Sequence, residues 1–237
     1  MSSDKHRILS TKPLSAELVQ QAAAQGIVVS EKAFIEVRPA LTAASGKRSR
    51  EILQNGGVIV FTSPNAVRIV AEITENMDAV VYCIQGATRE AVEQHFPNAR
   101  IAGTAADSKA LATLVLQNST ITFVVFFCGN IRRNELPDML RSRNVDVEEI
   151  LVYETLETPA QLTETYDGLL FFSPSSVSSF FSGNTLPAQT VCFAIGHTTA
   201  AALRKVTENK VVVSTEPSVD ALLQTVILYF DNINSQE

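Results

Sequence analysis

Short runs of β-branched and aromatic residues alternate along the chain with helix-like segments. Val58–Phe61, Val80–Cys83, Ile121–Phe127, Leu169–Phe172, Val191–Ile195 and Val211–Val213 are continuous apolar runs, which predict strands buried on both faces. Each is followed by a turn, and helices are expected over Pro64–Asn76, Thr88–His95, Ser108–Gln117, Glu135–Arg143, Pro174–Ser182, Thr198–Thr207 and Ser218–Tyr229. Strands alternating with helices of this length predict parallel sheets covered on both faces, an α/β class. Two longer extended stretches, Ile27–Pro39 and Val145–Thr158, are more polar and end near a proline. They read as linkers between lobes rather than core strands.

The pattern repeats. Phe61-Thr-Ser-Pro-Asn-Ala-Val67 returns as Phe171-Phe-Ser-Pro-Ser-Ser-Val177, an offset of 110. At the same offset Gly86 lies over Gly196 and Thr88 over Thr198, and Ser108 faces Ser218. At an offset of 118, Ile8–Lys12 pairs with Phe126–Asn130 and Phe34–Glu36 with Val152–Glu154. Ordered blocks at a fixed spacing indicate one unit of about 110 residues used twice, from about Arg7 to Gln117 and from about Val124 to Phe230. If both polar stretches are linkers, the chain leaves one lobe near residue 35, builds the other, and returns near residue 153. Two consecutive lobes are also compatible with the pattern.

The chain has 237 residues, 46% apolar and 19% charged, which allows one large or two small domains. The longest apolar stretches, Ile121–Cys128 and Ala79–Ile84, fall short of the roughly 20 residues a membrane-spanning helix needs. Met1–Ser10 lacks an apolar signal-peptide core, so the expected compartment is the cytoplasm. Cys83, Cys128 and Cys192 all sit in apolar runs and are expected as buried small hydrophobes, with no disulfide framework and no metal site. A net charge of −6 without a basic stripe argues against nucleic acid, although an anionic small molecule stays compatible.

Candidate chemistry lies at the turns after the strands. Ser10-Thr11, Thr62-Ser63, Gly86-Ala-Thr88, Asp107-Ser108, Cys128-Gly-Asn130, Ser173, Gly196-His-Thr198 and Pro217-Ser218 are rich in small or hydroxylated residues. In α/β sheets ligands bind at these strand ends, where helix N-termini offer backbone N–H groups to carboxylates or phosphates. The same residues also serve as plain N-caps. No GxGxxG, P-loop, HExxH, CxxC or GxSxG pattern occurs, and His6, His95 and His197 are scattered. An enzyme built this way works by positioning rather than by an armed nucleophile.

Five blocks together carry a resemblance: Phe61–Val67, Phe127-Cys-Gly-Asn-Ile-Arg-Arg133, Leu151-Val-Tyr-Glu-Thr155, Phe171–Val177 and Ala194-Ile-Gly-His-Thr-Thr-Ala200. In order and spacing, from about Arg7 to Phe230, the chain resembles uroporphyrinogen-III synthase. The resemblance implies a cofactor-free cyclising hydro-lyase of haem biosynthesis, which converts linear hydroxymethylbilane into uroporphyrinogen III with inversion of ring D. It implies two flavodoxin-like lobes with parallel sheets joined by a two-stranded linker. One lobe would comprise residues 1–36 plus 156–237 and the other 37–155, with linker strands near 30–39 and 148–158 and substrate in the cleft between lobes.

By the same resemblance Tyr153 matches the family's tyrosine in the returning linker strand, placed to help the leaving hydroxyl. Thr62, Ser63, Gly86, Thr88, Ser173, Gly196 and Thr198 match cleft-facing turns. Thr11 and Lys12 follow the first strand, Lys12 where many relatives have arginine. Asn130, Arg132 and Arg133 follow the strand at 121–128, where an arginine would reach a propionate or acetate. His197, at a predicted helix start where the family's residue type varies, is a further candidate contact by its position rather than by the resemblance. The expected partners are hydroxymethylbilane and, transiently, the deaminase that makes it, with no nucleic acid, no membrane and a monomeric chain. The alternative is a two-lobed protein that binds an anionic small molecule without catalysis.

Overall fold

The computed structural model describes residues 6–74 and 77–234, so Met1–Lys5 of the stretch read for a signal, and Glu75 and Asn76 of an expected helix, lie outside it. In chain order the elements begin β1 (His6–Ser10), α1 (Ala16–Ala24), β2 (Ile27–Glu31), β3 (Ile35–Pro39), α2 (Ala43–Asn55), β4 (Val58–Phe61) and α3 (Pro64–Ala71). There follow β5 (Val80–Ile84), α4 (Ala87–His95), β6 (Arg100–Ala105), α5 (Ser108–Leu116), β7 (Phe123–Gly129), α6 (Glu135–Arg141) and β8 (Asp146–Glu157). The chain closes with β9 (Gly168–Phe171), α7 (Pro174–Phe181), β10 (Val191–Ala194), α8 (His197–Leu203), β11 (Val211–Val213) and α9 (Val219–Asn234).

Two compact units result: Met1–Glu36 with Leu156–Glu237, and Val37–Thr155. The chain passes from one to the other within β3 and again within β8, which are sheet neighbours. The first unit holds a five-stranded sheet, β11-β10-β9-β1-β2, whose paired strands are all parallel. The second sheet has the order β3-β8-β7-β4-β5-β6, parallel from β8 to β6. Offsetting β4, β5 and β6 by 110 gives β9, β10 and β11, while β7 and β8 take the places of β1 and β2. The two sheets therefore share one strand order, differently connected, as the internal repeat requires.

Each sheet is covered on both faces, which is why its strands read as unbroken apolar runs. In the second unit Phe61 and Phe127 pack with residues of α2, α3 and α4, while Val60 and Phe126 face α5 and α6. In the first, Ile8 and Phe193 face α1 and α9, while Leu169 and Phe171 face α7 and α8. Local caps set the helix starts. Ser63 and Ser173 each precede a proline at N1, where a missing N–H costs nothing, and Thr42 and Ser45 form a capping box at α2.

The structure corrects several expectations. The stretches at 27–39 and 145–158 are not linkers in place of strands: β2 lies parallel to β1 and β8 to β7, with Ile150, Val152 and Tyr153 of β8 buried. Their polarity comes from their place at or next to a sheet edge. The helix expected over Pro64–Asn76 ends at Ala71, and the one expected to Thr207 ends at Leu203. In both, tighter bonds close the last turn, Ile73 N–H to Val70 and Val206 N–H to Leu203. Helices α1 and α2 and strand β6 had no distinct apolar signal. The buried face of α2 includes Gly46 and Ser49, and Ser49 satisfies its hydroxyl on the Ser45 carbonyl.

Candidate functional site

In a doubly wound sheet the strand order reverses at one point, and the crevice there opens at the carboxyl ends of the two strands. The reversal falls between β1 and β9 in the first unit and between β7 and β4 in the second. The turns after these four strands carry Thr11 and Lys12, Ser173, Asn130 and Arg132, and Thr62 and Ser63.

In the first unit Thr11 is buried, and its N–H and hydroxyl both donate to the Leu170 carbonyl, at 3.1 and 2.7 Å. Its side chain thus ties β1 to β9. Lys12 holds its ammonium 4.4 Å above the Phe172 ring. Ser173 caps α7 in a reciprocal box: the Ser176 N–H donates to its side-chain oxygen at 3.1 Å, and the Ser173 N–H donates to the Ser176 side-chain oxygen at 3.3 Å. One strand further on, Gly196 begins α8 without a capping side chain, and His197 and Thr198 stand exposed in its first turn.

In the second unit Gly86, at φ 75°, begins α4 in a conformation that favours glycine, and the following Thr88 is buried. Asn130 faces the β8 backbone: its amide oxygen accepts the Thr155 N–H at 2.8 Å and its nitrogen donates to the Thr155 carbonyl at 3.3 Å. It thereby continues the β7–β8 ladder past Gly129. Arg132 is ion-paired through Nε with Glu149 and donates to Asn134. Glu149 also accepts from Arg141 at 2.9 Å, so one mostly buried carboxylate holds two guanidinium groups.

Tyr153 has the most constrained position. The β7–β8 register runs Cys128 to Leu151 and then Gly129 to Tyr153, so Val152 is an extra residue, a β-bulge. The bulge brings Tyr153 to the same core as Ile150 and Val152, beside α3. Its ring lies against Gly129, where a Cβ would come within 2.4 Å of Cζ. Burial pushes the phenol above its ordinary range, with the Ser63 side chain opposing the shift.

Of the residues singled out from sequence, Ser63, Asn130 and Tyr153 are brought together, and the others lie at the strand ends of their own units. Gly129 was read only as part of a small-residue turn, and Glu149 was not singled out. Gly129 stood inside a repeated block, but its close approach is to a residue far along the chain. Glu149 is one acidic residue among several in a polar strand.

A family model described as uroporphyrinogen-III synthase HemD matches residues 16–224. Among solved structures, a substituted form of uroporphyrinogen III synthase from the extreme thermophile Thermus thermophilus is similar over 98% of this chain and 100% of its own, with 16% identity and a TM-score of 0.69. The uroporphyrinogen-III synthetase of Helicobacter pylori is similar over 94% of this chain and 99% of its own, with 15% identity and a TM-score of 0.62.

Proposed function

From the premise that the chain belongs to the uroporphyrinogen-III synthase family, matched over residues 16–224, we propose how its own residues perform the family's cyclisation. The activity is that of a cyclising hydro-lyase, with hydroxymethylbilane as substrate and uroporphyrinogen III and water as products. Non-catalytic binding of an anion is not favoured.

Tyr153 is the acid. Its phenol donates a proton to the terminal hydroxyl, which leaves as water with the C–O electron pair while the pyrrole nitrogen supplies electrons to the carbon left behind. Ring D attacks that carbon through its own substituted position, giving the spiro intermediate, which fragments and recloses with the ring reversed. The proton lost on final rearomatisation returns to the phenolate. The observation that carries this role is the buried phenol, seated against Gly129 at the carboxyl end of β7, with burial raising its pKa.

The acetate and propionate groups are received by turns that lack bulky side chains. Backbone N–H groups near Thr62, Ser63, Gly86 and Thr88 serve in one unit, and those near Thr11, Ser173, Gly196, His197 and Thr198 in the other. Lys12 adds charge in one unit and Arg132 in the other, where Asn130 holds the end of β8 against β7. Among the described residues no helix is long and apolar enough to cross a membrane. We place the enzyme in the cytoplasm as a monomer that meets the deaminase transiently, because its bilane substrate closes spontaneously if left free.

The test is the isomer ratio of porphyrins after freshly made hydroxymethylbilane is incubated with the protein and oxidised. Spontaneous closure gives isomer I. Isomer III in catalytic excess is expected; isomer I alone from folded protein would overturn the proposal.

A further inference from the structure

We propose that Phe172 is a positioning residue for Lys12, its ring holding the ammonium at the carboxyl end of β9 so that a substrate carboxylate meets the charge already placed. The inference rests on the reading of Lys12 as a carboxylate contact. Strand register brings the two residues together. The last partners of the parallel pair β1–β9 are Ser10 and Leu170, and Lys12 and Phe172 each lie two residues further on, so they continue one face of the sheet. Phe172 packs at the margin of the core that holds Ile8 and Leu170. The Lys12 backbone is fixed as well: the buried Ser10 hydroxyl donates to the Lys12 carbonyl at 2.6 Å, and Thr11 is tied to the Leu170 carbonyl. From this anchored turn the side chain brings its ammonium to 4.4 Å from the centre of the Phe172 ring. A ring face attracts an ammonium through its quadrupole. Ordering a flexible lysine stem on binding costs affinity, and a ring that orders it beforehand removes part of that cost.

Two internal comparisons set this contact apart. Arg7 lies over Tyr166 and Lys210 over Tyr229 in the same unit, but Arg7 is near the amino end of β1 and Lys210 just precedes β11. Both are at the ends of strands where α/β sheets do not bind ligands. In the other unit the positions that repeat Lys12 and Phe172 are Asn130 and Thr62, and Asn130 is bonded to the Thr155 backbone. The cation held over a ring at a carboxyl strand end is therefore a feature of the first unit alone among the described residues.

Initial rates of isomer III formation would be compared for wild type, Phe172→Leu, Phe172→Tyr, Lys12→Met, the double variant Phe172→Leu/Lys12→Met, and Lys210→Met as control. Phe172→Leu is expected to raise KM roughly two- to fivefold, the worth of a cation–π contact at a partly exposed site, with kcat within about twofold. Phe172→Tyr keeps a ring face and should stay near wild type. The double variant should match Lys12→Met alone, since the ring acts through the lysine. Lys210→Met should leave both constants unchanged. Phenylalanines carrying successively more ring fluorines, placed at position 172, withdraw electrons from the ring face at nearly constant shape. KM should climb along that series when Lys12 is present and stay flat in Lys12→Met, a pattern that loss of packing would not produce and that does not depend on Phe172→Leu folding well.

A flat fluorine series with Lys12 present, multiplying losses in the double variant, or an equal rise of KM in Lys210→Met would overturn the inference while leaving Lys12 as a carboxylate contact. Wild-type KM in Lys12→Met would overturn that reading of Lys12, and this inference with it.

Discussion

The phenol ring of Tyr153 occupies the space where Gly129 would carry a side chain: a Cβ there would stand 2.4 Å from Cζ, 2.5 Å from Cε2 and 2.9 Å from the hydroxyl oxygen. The glycine is the floor on which the ring rests. Gly129→Ala must push the ring away, because the strand carrying the new methyl is hydrogen-bonded on both sides. Overpacking of this kind costs about 1–3 kcal/mol, and the variant should melt at a lower temperature yet remain folded. Turnover should fall roughly tenfold or more as the phenol leaves its position, with KM much less affected. Unchanged turnover would mean that the ring's position does not matter.

Removal of the hydroxyl alone is the sharper change. Tyr153→Phe keeps the ring over Gly129, so fold and binding should persist while kcat drops by about 100-fold, the low end for loss of a general acid. Circular dichroism and the isomer III assay check the two halves of the statement.

The same phenol has a signature in stability at alkaline pH. Burial raises its pKa in the folded chain above the ordinary value of about 10, with Ser63 opposing. A raised folded pKa contributes stability that is whole below the unfolded pKa and lost as pH rises through the folded one. Wild type and Tyr153→Phe should therefore keep a constant difference in melting temperature up to about pH 10. Above it wild type should lose ground, and parallel curves beyond that point would show that the phenol ionises freely in the folded chain.

Much of this arrangement was legible in the sequence, for identifiable reasons. Val58–Phe61 and Val211–Val213 are strands at the predicted residues because both faces are covered and nothing breaks the apolar run. The turns were visible because caps have a short vocabulary: Ser63-Pro64 and Ser173-Pro174 announce helix starts whatever else they do. Helix α2 was hidden by a buried face that includes Gly46 and Ser49. The direction of Tyr153 was hidden for a different reason. Alternation along β8 would place it with Leu151, but the extra residue Val152 shifts the register and brings it to the core of Ile150 instead. Nor could the sequence show that Arg132 is held by Glu149, since ion pairs between a turn and the neighbouring strand have no fixed spacing.

The three cysteines should be inert in the folded protein. Burial pushes Cys192 up to about 12 and Cys83 to about 11, and raises Cys128 as well, although Arg132 lowers it in part. The thiolate is the reactive form, so a thiol reagent at pH 8 should leave the native chain unlabelled and modify all three sites after denaturation. Rapid modification of the native chain, without loss of fold, would place a thiol at the surface.

Lys12 and Arg132 are both cations at strand-order reversals, and their surroundings predict different losses. Lys12 lies over the Phe172 ring, a contact that orients the ammonium. Lys12→Met should therefore raise KM by about five- to tenfold, the worth of one charge-assisted hydrogen bond, at nearly constant kcat. Arg132 shares Glu149 with Arg141, and the carboxylate is mostly buried. Arg132→Ala leaves that carboxylate with one partner in place of two, so it should cost about 1–2 kcal/mol of stability along with affinity. Glu149→Gln separates the two effects: stability should fall again, but the guanidinium loses its internal counter-charge and can pair with a substrate carboxylate, and KM should drop or hold. A higher KM in Glu149→Gln would show that Glu149 orients Arg132 toward the substrate rather than competing for it.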